Sequence, residues 1–147
     1  MKWVLKKFDE LSPHELYSIL QLRNEVFVVE QNCVFQDADD KDQRSFHLMG
    51  WRDDRLIAYS RIIPQGVAYD VPSIGRVVTS PSVRRNGIGK ILMIESLTAM
   101  RDLFGNVPIK LGAQLYLKEF YESFGFKQSG NVYPEDGIDH IEMTRST

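Results

Sequence analysis

The stretch Arg76–Lys90, RVVTSPSVRRNGIGK, decides how the rest of the chain is read. It starts with β-branched residues suited to a strand, passes Arg84 and Arg85, and reaches Gly87 and Gly89 where an apolar-periodic run begins. A helix N-terminus presents main-chain N–H groups without intrahelical partners and carries a partial positive charge. Phosphate fits there, provided the backbone can come close. Glycine has no Cβ, so Gly87 and Gly89 permit that approach and a positive φ in the turn. Arg84 adds forked donors that match phosphate oxygens. The turn therefore reads as a pyrophosphate cradle. Two other cradles fail on spelling: a dinucleotide fingerprint needs glycine where Leu92 stands, and a P-loop needs Ser or Thr where Ile91 follows Lys90.

Outward from this stretch, WVLKKF reads as a first strand, and SPHE as a helix start. There Ser12 is the cap, Pro13 the first helical residue and Glu15 the other half of a capping box. Leu16, Ile19, Leu20, Arg23, Val26 and Phe27 keep helical spacing behind it. FHLMGWRD, RLIAYSRIIP and SIGRVVTS read as strands, and a helix is expected from about Gly87 to Phe104, stopped by Gly105 and Asn106. PIKLGAQ reads as a short strand and YLKEFYESFGF as a second amphipathic helix capped by Gly125. FKQSGNVY and HIEMTR close the chain as strands around the turn PEDG. Strands before, between and after helices give an α/β (α+β) sheet covered by helices.

The chain has 147 residues, 43% of them hydrophobic, which suffices for one domain over residues 1–147. Its 18 basic and 20 acidic residues leave a net charge of −2 with no basic stripe, so a nucleic-acid platform is disfavoured. No apolar run is long enough for a bilayer, and MKWVLKKFDELSP lacks the apolar core of a secretory signal. Cys33 stands alone, which excludes a disulfide framework and a thiolate metal site. These features predict a cytoplasmic protein with no metal, no membrane partner and no nucleic-acid partner. Edge strands near the C-terminus leave room for a homodimer.

Strand, then Arg84-x-x-Gly87-x-Gly89, then an apolar helix, resembles the acetyl-CoA-binding motif of the GNAT N-acetyltransferase superfamily, Gln/Arg-x-x-Gly-x-Gly/Ala. FYESFGF, Phe120 to Phe126, looks like the superfamily's fourth-helix signature. LQLRNEVFVVEQ, QDADDKD, GRVVTSPSVRRNGIG and HIEM further resemble its ElaA-like branch. The resemblance implies a mixed sheet of six to seven strands, splayed between the fourth and fifth and flanked by about four helices. It also implies acetyl transfer from acetyl-CoA to a primary amine, by direct attack in a ternary complex.

On that resemblance, Val77, Val78 and Thr79 would offer backbone contacts to the pantetheine arm. The pyrophosphate would lie on the N–H groups of Arg85, Asn86, Gly87, Ile88, Gly89 and Lys90, with Arg84 at the consensus position. A main-chain N–H near Val78 or Thr79 would hold the oxyanion. Tyr121 would return a proton to the departing thiolate, a transfer uphill by about 2 kcal/mol between ordinary phenol and thiol values. Glu25, Glu30, His47, His140 and Glu142 are candidate bases by type; Glu30 and His47 are taken as acceptor-site residues. Arg23 is expected to lay its stem on the core with its head in water, the alternative being a buried ion pair with Glu30 or a loop aspartate.

The loop Asp37–Asp42 fails as an EF-hand, since its sixth and twelfth positions are Asp42 and Leu48. It is expected to be a solvated turn, with recruitment of a cationic amine as the alternative. A small-molecule or peptide amine is the expected acceptor, but nothing in Glu25 to Gln43 names it: small amine, polyamine, peptide N-terminus and protein lysine are all open. Two other functions fit less of the sequence: a non-catalytic acetyl-CoA-binding sensor, and an acyl-homoserine-lactone-synthase-like acyltransferase.

Overall fold

The computed structural model describes residues 1–147. Seven strands form one sheet: β1 (Lys2–Lys7), β2 (Phe46–Arg52), β3 (Arg55–Ile63), β4 (Ser73–Thr79), β5 (Ile109–Gln114), β6 (Phe126–Glu135) and β7 (Ile138–Arg145). Their order is β1-β2-β3-β4-β5-β7-β6. Every neighbouring pair is antiparallel except β4 and β5. Three α-helices accompany the sheet, one fewer than expected: α1 (Pro13–Arg23), α2 (Ile88–Phe104) and α3 (Lys118–Glu122). None is long and apolar enough to cross a membrane.

Local chemistry sets the helix ends. The Glu15 N–H donates to Ser12 Oγ and the Ser12 N–H to Glu15 Oε1, closing the expected capping box. Asn24–Glu30 continues α1 as a π-helix, where the Gln31 N–H reaches back five residues to Val26 O. α2 starts at Ile88 behind Gly87, whose φ of +76° is the left-handed conformation that favours glycine. The second amphipathic helix shrinks to five residues after a 3₁₀ turn at Leu115–Leu117. The aromatic spacing of Phe120, Tyr121 and Phe124 survives because a tight turn, ended by Gly125 at φ +91°, continues it.

Two cores lie on opposite faces of the sheet. Leu92, Met93, Met100 and Tyr121 pack with Leu111, Phe126 and Met143 on one. On the other, Ile19, Leu22 and Val26 of α1 pack with Met49, Tyr59 and Val78. Arg23 belongs to this second face and is fully buried, so the ion-pair alternative is the one realised, with aspartates and not Glu30. Its Nε donates to Asp37 Oδ2 at 2.8 Å and its Nη1 to Asp42 Oδ1 at 2.7 Å. Arg61 donates to both Asp39 oxygens and to Asp42, each at 2.8 Å. Arg76 Nη2 donates to Asp37 O, while its Nε approaches Asp37 Oδ1 to 2.9 Å at too bent an angle to hydrogen-bond.

The acidic loop is thus not a solvated turn. Three arginines from α1, β3 and β4 hold three of its aspartates against the sheet. Burial opposes ionisation of Asp39, and Arg61 with Arg76 overcome it, holding the carboxyl well below the usual range. Asp42 is lowered in the same way by Arg23 and Arg61.

His47, expected in the acceptor site, sits inside this cluster with no exposed surface. Its Nδ1 lies 2.7 Å from Tyr59 Oη and its Nε2 lies 2.9 Å from Asp42 O. The carbonyl can only accept, so Nε2 carries the proton and Tyr59 donates to Nδ1. Burial pushes this imidazole below its ordinary 6.5, which keeps it neutral.

Truncating Arg23 to Ala leaves Asp37 and Asp42 without their deepest partner, so chemical denaturation should show a loss of about 3–5 kcal/mol. A loss below about 1 kcal/mol would mean that the cluster is dispensable. As the pH falls below 6.5, the unfolded chain takes a proton on His47 that the native state refuses, so stability declines. Below 3.8 the lowered carboxyls of Asp39 and Asp42 steepen the decline. Urea midpoints against pH should show the first slope in the wild type and less of it in His47→Gln; a flat wild-type curve from pH 7 to 5 would contradict the assignment.

Candidate active site

The site begins where β4 leaves β5. These parallel strands share one registered pair, Ser73 with Lys110, before separating. Along β4, Gly75 faces Arg61 and Val78 faces Tyr59, so Arg76 and Val77 together oppose the single residue Ser60. That is a β-bulge, with Arg76 in the left-handed region at φ +48°. A bulge bends its strand, and this one lies just beyond the last β4–β5 pair. Beyond it, the Ser80 N–H donates to Ile57 O of the β3 side. Antiparallel alternation then turns the Val78 main chain toward β3 and the Thr79 N–H toward the gap. The Val78 side chain is buried in the α1-side core and Val77 packs on the α2-side core, so both also serve the sheet.

The turn after β4 carries the unpaired donors expected of it. The first hydrogen bond of α2 runs from the Ile91 N–H to Gly87 O. The N–H groups of Arg85, Asn86, Gly87, Ile88, Gly89 and Lys90 donate to nothing in the protein. Arg85 at φ +70° and Gly87 at φ +76° curl the chain so that these groups lie at the start of α2. Nothing lies within 4 Å of a Cβ built on Gly87, and only Phe120 Cζ, at 3.9 Å, lies near one on Gly89. Gly87 is therefore required by conformation, whereas packing within the chain does not require Gly89. An open approach for an outside group is the remaining use of its missing side chain.

Arg84 projects from the same turn. Its Nη1 and Nη2 each donate to one oxygen of Glu30, both at 2.6 Å, with about two-fifths of each side chain exposed. The pair places Glu30, expected on the acceptor side, against the cofactor loop instead. Sequence reading put these two residues in separate subsites; the π-helical end of α1 brings them together.

Between the strands lies a cavity of about 490 Å³. Val77 and Arg76 line it from β4, Gly112 and Gln114 from β5, and Tyr121 from α3. Tyr121 is only 6% exposed, yet its hydroxyl makes no hydrogen bond within the protein. Burial pushes the phenol above its ordinary value, so it stays protonated and can donate. The far wall joins the loop after α1 to the β6–β7 turn, where Cys33 Sγ donates to Asp136 O at 2.9 Å. His140, singled out only by type, lines this cavity, and Nδ1 donates to Ile138 O at 2.7 Å. His47 does not reach it.

The arrangement combines an anion cradle, an open strand edge and a buried phenol along one cleft. It can hold an extended molecule with a diphosphate at one end and a reacting group near Tyr121. The acetyltransferase (GNAT) domain family matches residues 10–147. ElaA of Escherichia coli is 43% identical over 147 residues, spanning 99% of this chain and 96% of that protein. The crystal structure of that ElaA superposes with a TM-score of 0.91, at 41% identity over 99% of this chain and all of the other. A crystal structure of an acyl-CoA N-acyltransferase from Pseudomonas aeruginosa gives a TM-score of 0.94, with 42% identity over 99% of this chain and 100% of that one. The fold is shared more distantly by aminoglycoside 6'-N-acetyltransferase complexed with coenzyme A, at a TM-score of 0.69 and 20% identity over 97% of this chain and 96% of that one. With the motif, the splayed sheet and these likenesses together, the chain belongs to the GNAT acetyltransferase family, in its ElaA-like branch.

Proposed function

We propose that the protein is an acetyl-CoA-dependent N-acetyltransferase acting on a primary amine by direct attack within a ternary complex. The observation that carries this reading is the row of unpartnered N–H groups from Arg85 to Lys90 at the start of α2, beside an open strand edge. The diphosphate of acetyl-CoA would lie on that row, and the Arg84 fork, already closed on a carboxylate, suits its oxygens. The pantetheine arm would hydrogen-bond the edge of β4 that faces the gap, which brings the thioester toward Tyr121.

The amine must lose a proton to solvent, directly or along a chain of water, before it can attack, since a free alkylammonium has a pKa of about 10.4 and holds no lone pair. Attack on the thioester carbon forms the C–N bond and places negative charge on its oxygen. The Thr79 N–H, aimed into the gap, is the main-chain donor best placed to hold it. Collapse breaks the C–S bond, the Tyr121 hydroxyl gives its proton to the leaving sulfur, and the extra proton on the new amide nitrogen passes through solvent to the tyrosinate, which restores the phenol and leaves a neutral amide. Burial makes Tyr121 a weaker acid, and burial of the leaving thiolate would make it a stronger base, so the two effects offset and the transfer stays modestly uphill. The deprotonating group is not His47, whose two nitrogens are both engaged inside the ion cluster.

Acceptor-dependent release of free coenzyme A thiol, measured over a panel of amines, tests the reading. Tyr121→Phe should lower kcat by about 10²–10⁴-fold, the usual yield of general acid–base catalysis, and leave the dissociation constant of acetyl-CoA nearly unchanged. Unaltered kcat in the variant would remove Tyr121 from the mechanism. Binding of acetyl-CoA with no amine-dependent thiol release would favour a sensor.

A further inference from the structure

Asp37, Asp39 and Asp42 of the acidic loop are already spent on Arg23, Arg61 and Arg76. The opposite rim of the cavity carries carboxylates that are not. Glu135 and Asp136 line it, and Glu142 stands on the adjoining sheet face. No Lys or Arg nitrogen comes within 4.0 Å of any of the three. The one basic side chain within 4.0 Å of Glu135 is His140, whose Nε2 lies 3.5 Å from Oε2. Glu142 accepts from Ser129 Oγ at 3.1 Å. Even with His140 protonated, this rim stays anionic.

Two phenols sit among these carboxylates. Gly112 on β5 pairs with Glu142 on β7, and Tyr133 on β6 pairs with His140. All four share the face opposite the buried Leu111, Ala113, Ile141 and Met143. A Cβ on Gly112 would lie 2.7 Å from Tyr133 Oη and 3.4 Å from Tyr69 Oη, so the glycine lets both hydroxyls down onto the sheet. Neither phenol makes a hydrogen bond within the protein. Burial, then Tyr133, Glu142 and Glu135, push Tyr69 up to about 12. Tyr133 is raised by burial and the same two glutamates. Tyr121, 6% exposed and with no hydrogen bond from its hydroxyl, lines the same cavity.

Resting on the acetyltransferase reading above, we propose that the acceptor is a di- or polycationic amine. One amino group reaches the thioester beside Tyr121, and a second, protonated amine sits between Glu135, Glu142 and the phenols of Tyr69 and Tyr133. An organic cation is what carboxylates and aromatic faces together recognise, since one supplies charge and the other a polarisable wall. An uncharged tail in the same place would desolvate the carboxylates without return.

Calorimetric titration of the intact chain with cadaverine and with pentylamine, a monoamine of matching length, tests this without any turnover. The diamine should bind about tenfold tighter, the joint effect of a half-exposed ion pair and a cation–aromatic contact, and the margin should shrink as salt rises. The double variant Glu135→Gln with Glu142→Gln, checked by its unfolding midpoint, should lose that margin. Equal affinity for the two amines in the wild type, or an undiminished margin in the double variant, would overturn the proposal. Absence of acetyl-CoA binding, measured separately, would sink the acetyltransferase reading instead, while the amine comparison would still decide this one.

Discussion

A parallel strand pair that keeps one registered contact and then opens is the constraint on which the rest of this molecule depends. Main-chain groups along an open edge inside a sheet need partners from somewhere. Here the gap is held open from both sides. The bulge at Arg76 and Val77 bends β4 away, and β5 is kept in place by its long antiparallel pairing with β7. Tyr121 and the start of α2 then lie along one cleft, so donors for a diphosphate, a strand edge and a proton donor follow each other in space. None of these features would be useful if β4 and β5 zipped up.

The second organising interaction is the balance of three arginines against three aspartates on the α1 face. Buried ion pairs of this kind contribute little net stability compared with apolar packing, but a missing partner is expensive. Their effect here is positional. Asp37, Asp39 and Asp42 are drawn onto α1, β3 and β4, which turns the polar loop after α1 into one wall of the cavity. Cys33 and its bond to Asp136 tie the same loop to the β6–β7 turn. Neutralising the acidic loop also leaves the glutamates across the cavity as its unspent negative charge.

Features fixed by short-range chemistry were legible in the sequence. The capping box at Ser12 and Glu15, the left-handed Gly87 and the stop at Gly105 each depend on a few adjacent residues. So did the donor-rich turn, because its donors belong to the main chain and to a run short of side chains. Long-range electrostatics were not legible. A string of aspartates looks the same whether water or buried arginines surround it, and Arg23, Arg61 and Arg76 are far from it in the chain. His47 looked available because its burial is created by Tyr59 and by that folded loop. Glu30 met Arg84 only because the π-helical end of α1 approaches the turn before α2. Alternation along β7 and β6 could have marked His140, Glu142 and Tyr133 as sharing a face, but it could not place them on the cavity side.

On the proposed function, the turn between β4 and α2 grips the diphosphate of coenzyme A. Isothermal titration of the purified chain with coenzyme A and, in parallel, with pantetheine, which lacks the diphosphate, measures this grip directly. Coenzyme A should bind saturably, and pantetheine more weakly by at least about a hundredfold, as expected for losing several charge-assisted hydrogen bonds. Equal affinity for the two, or no heat with either, would contradict it.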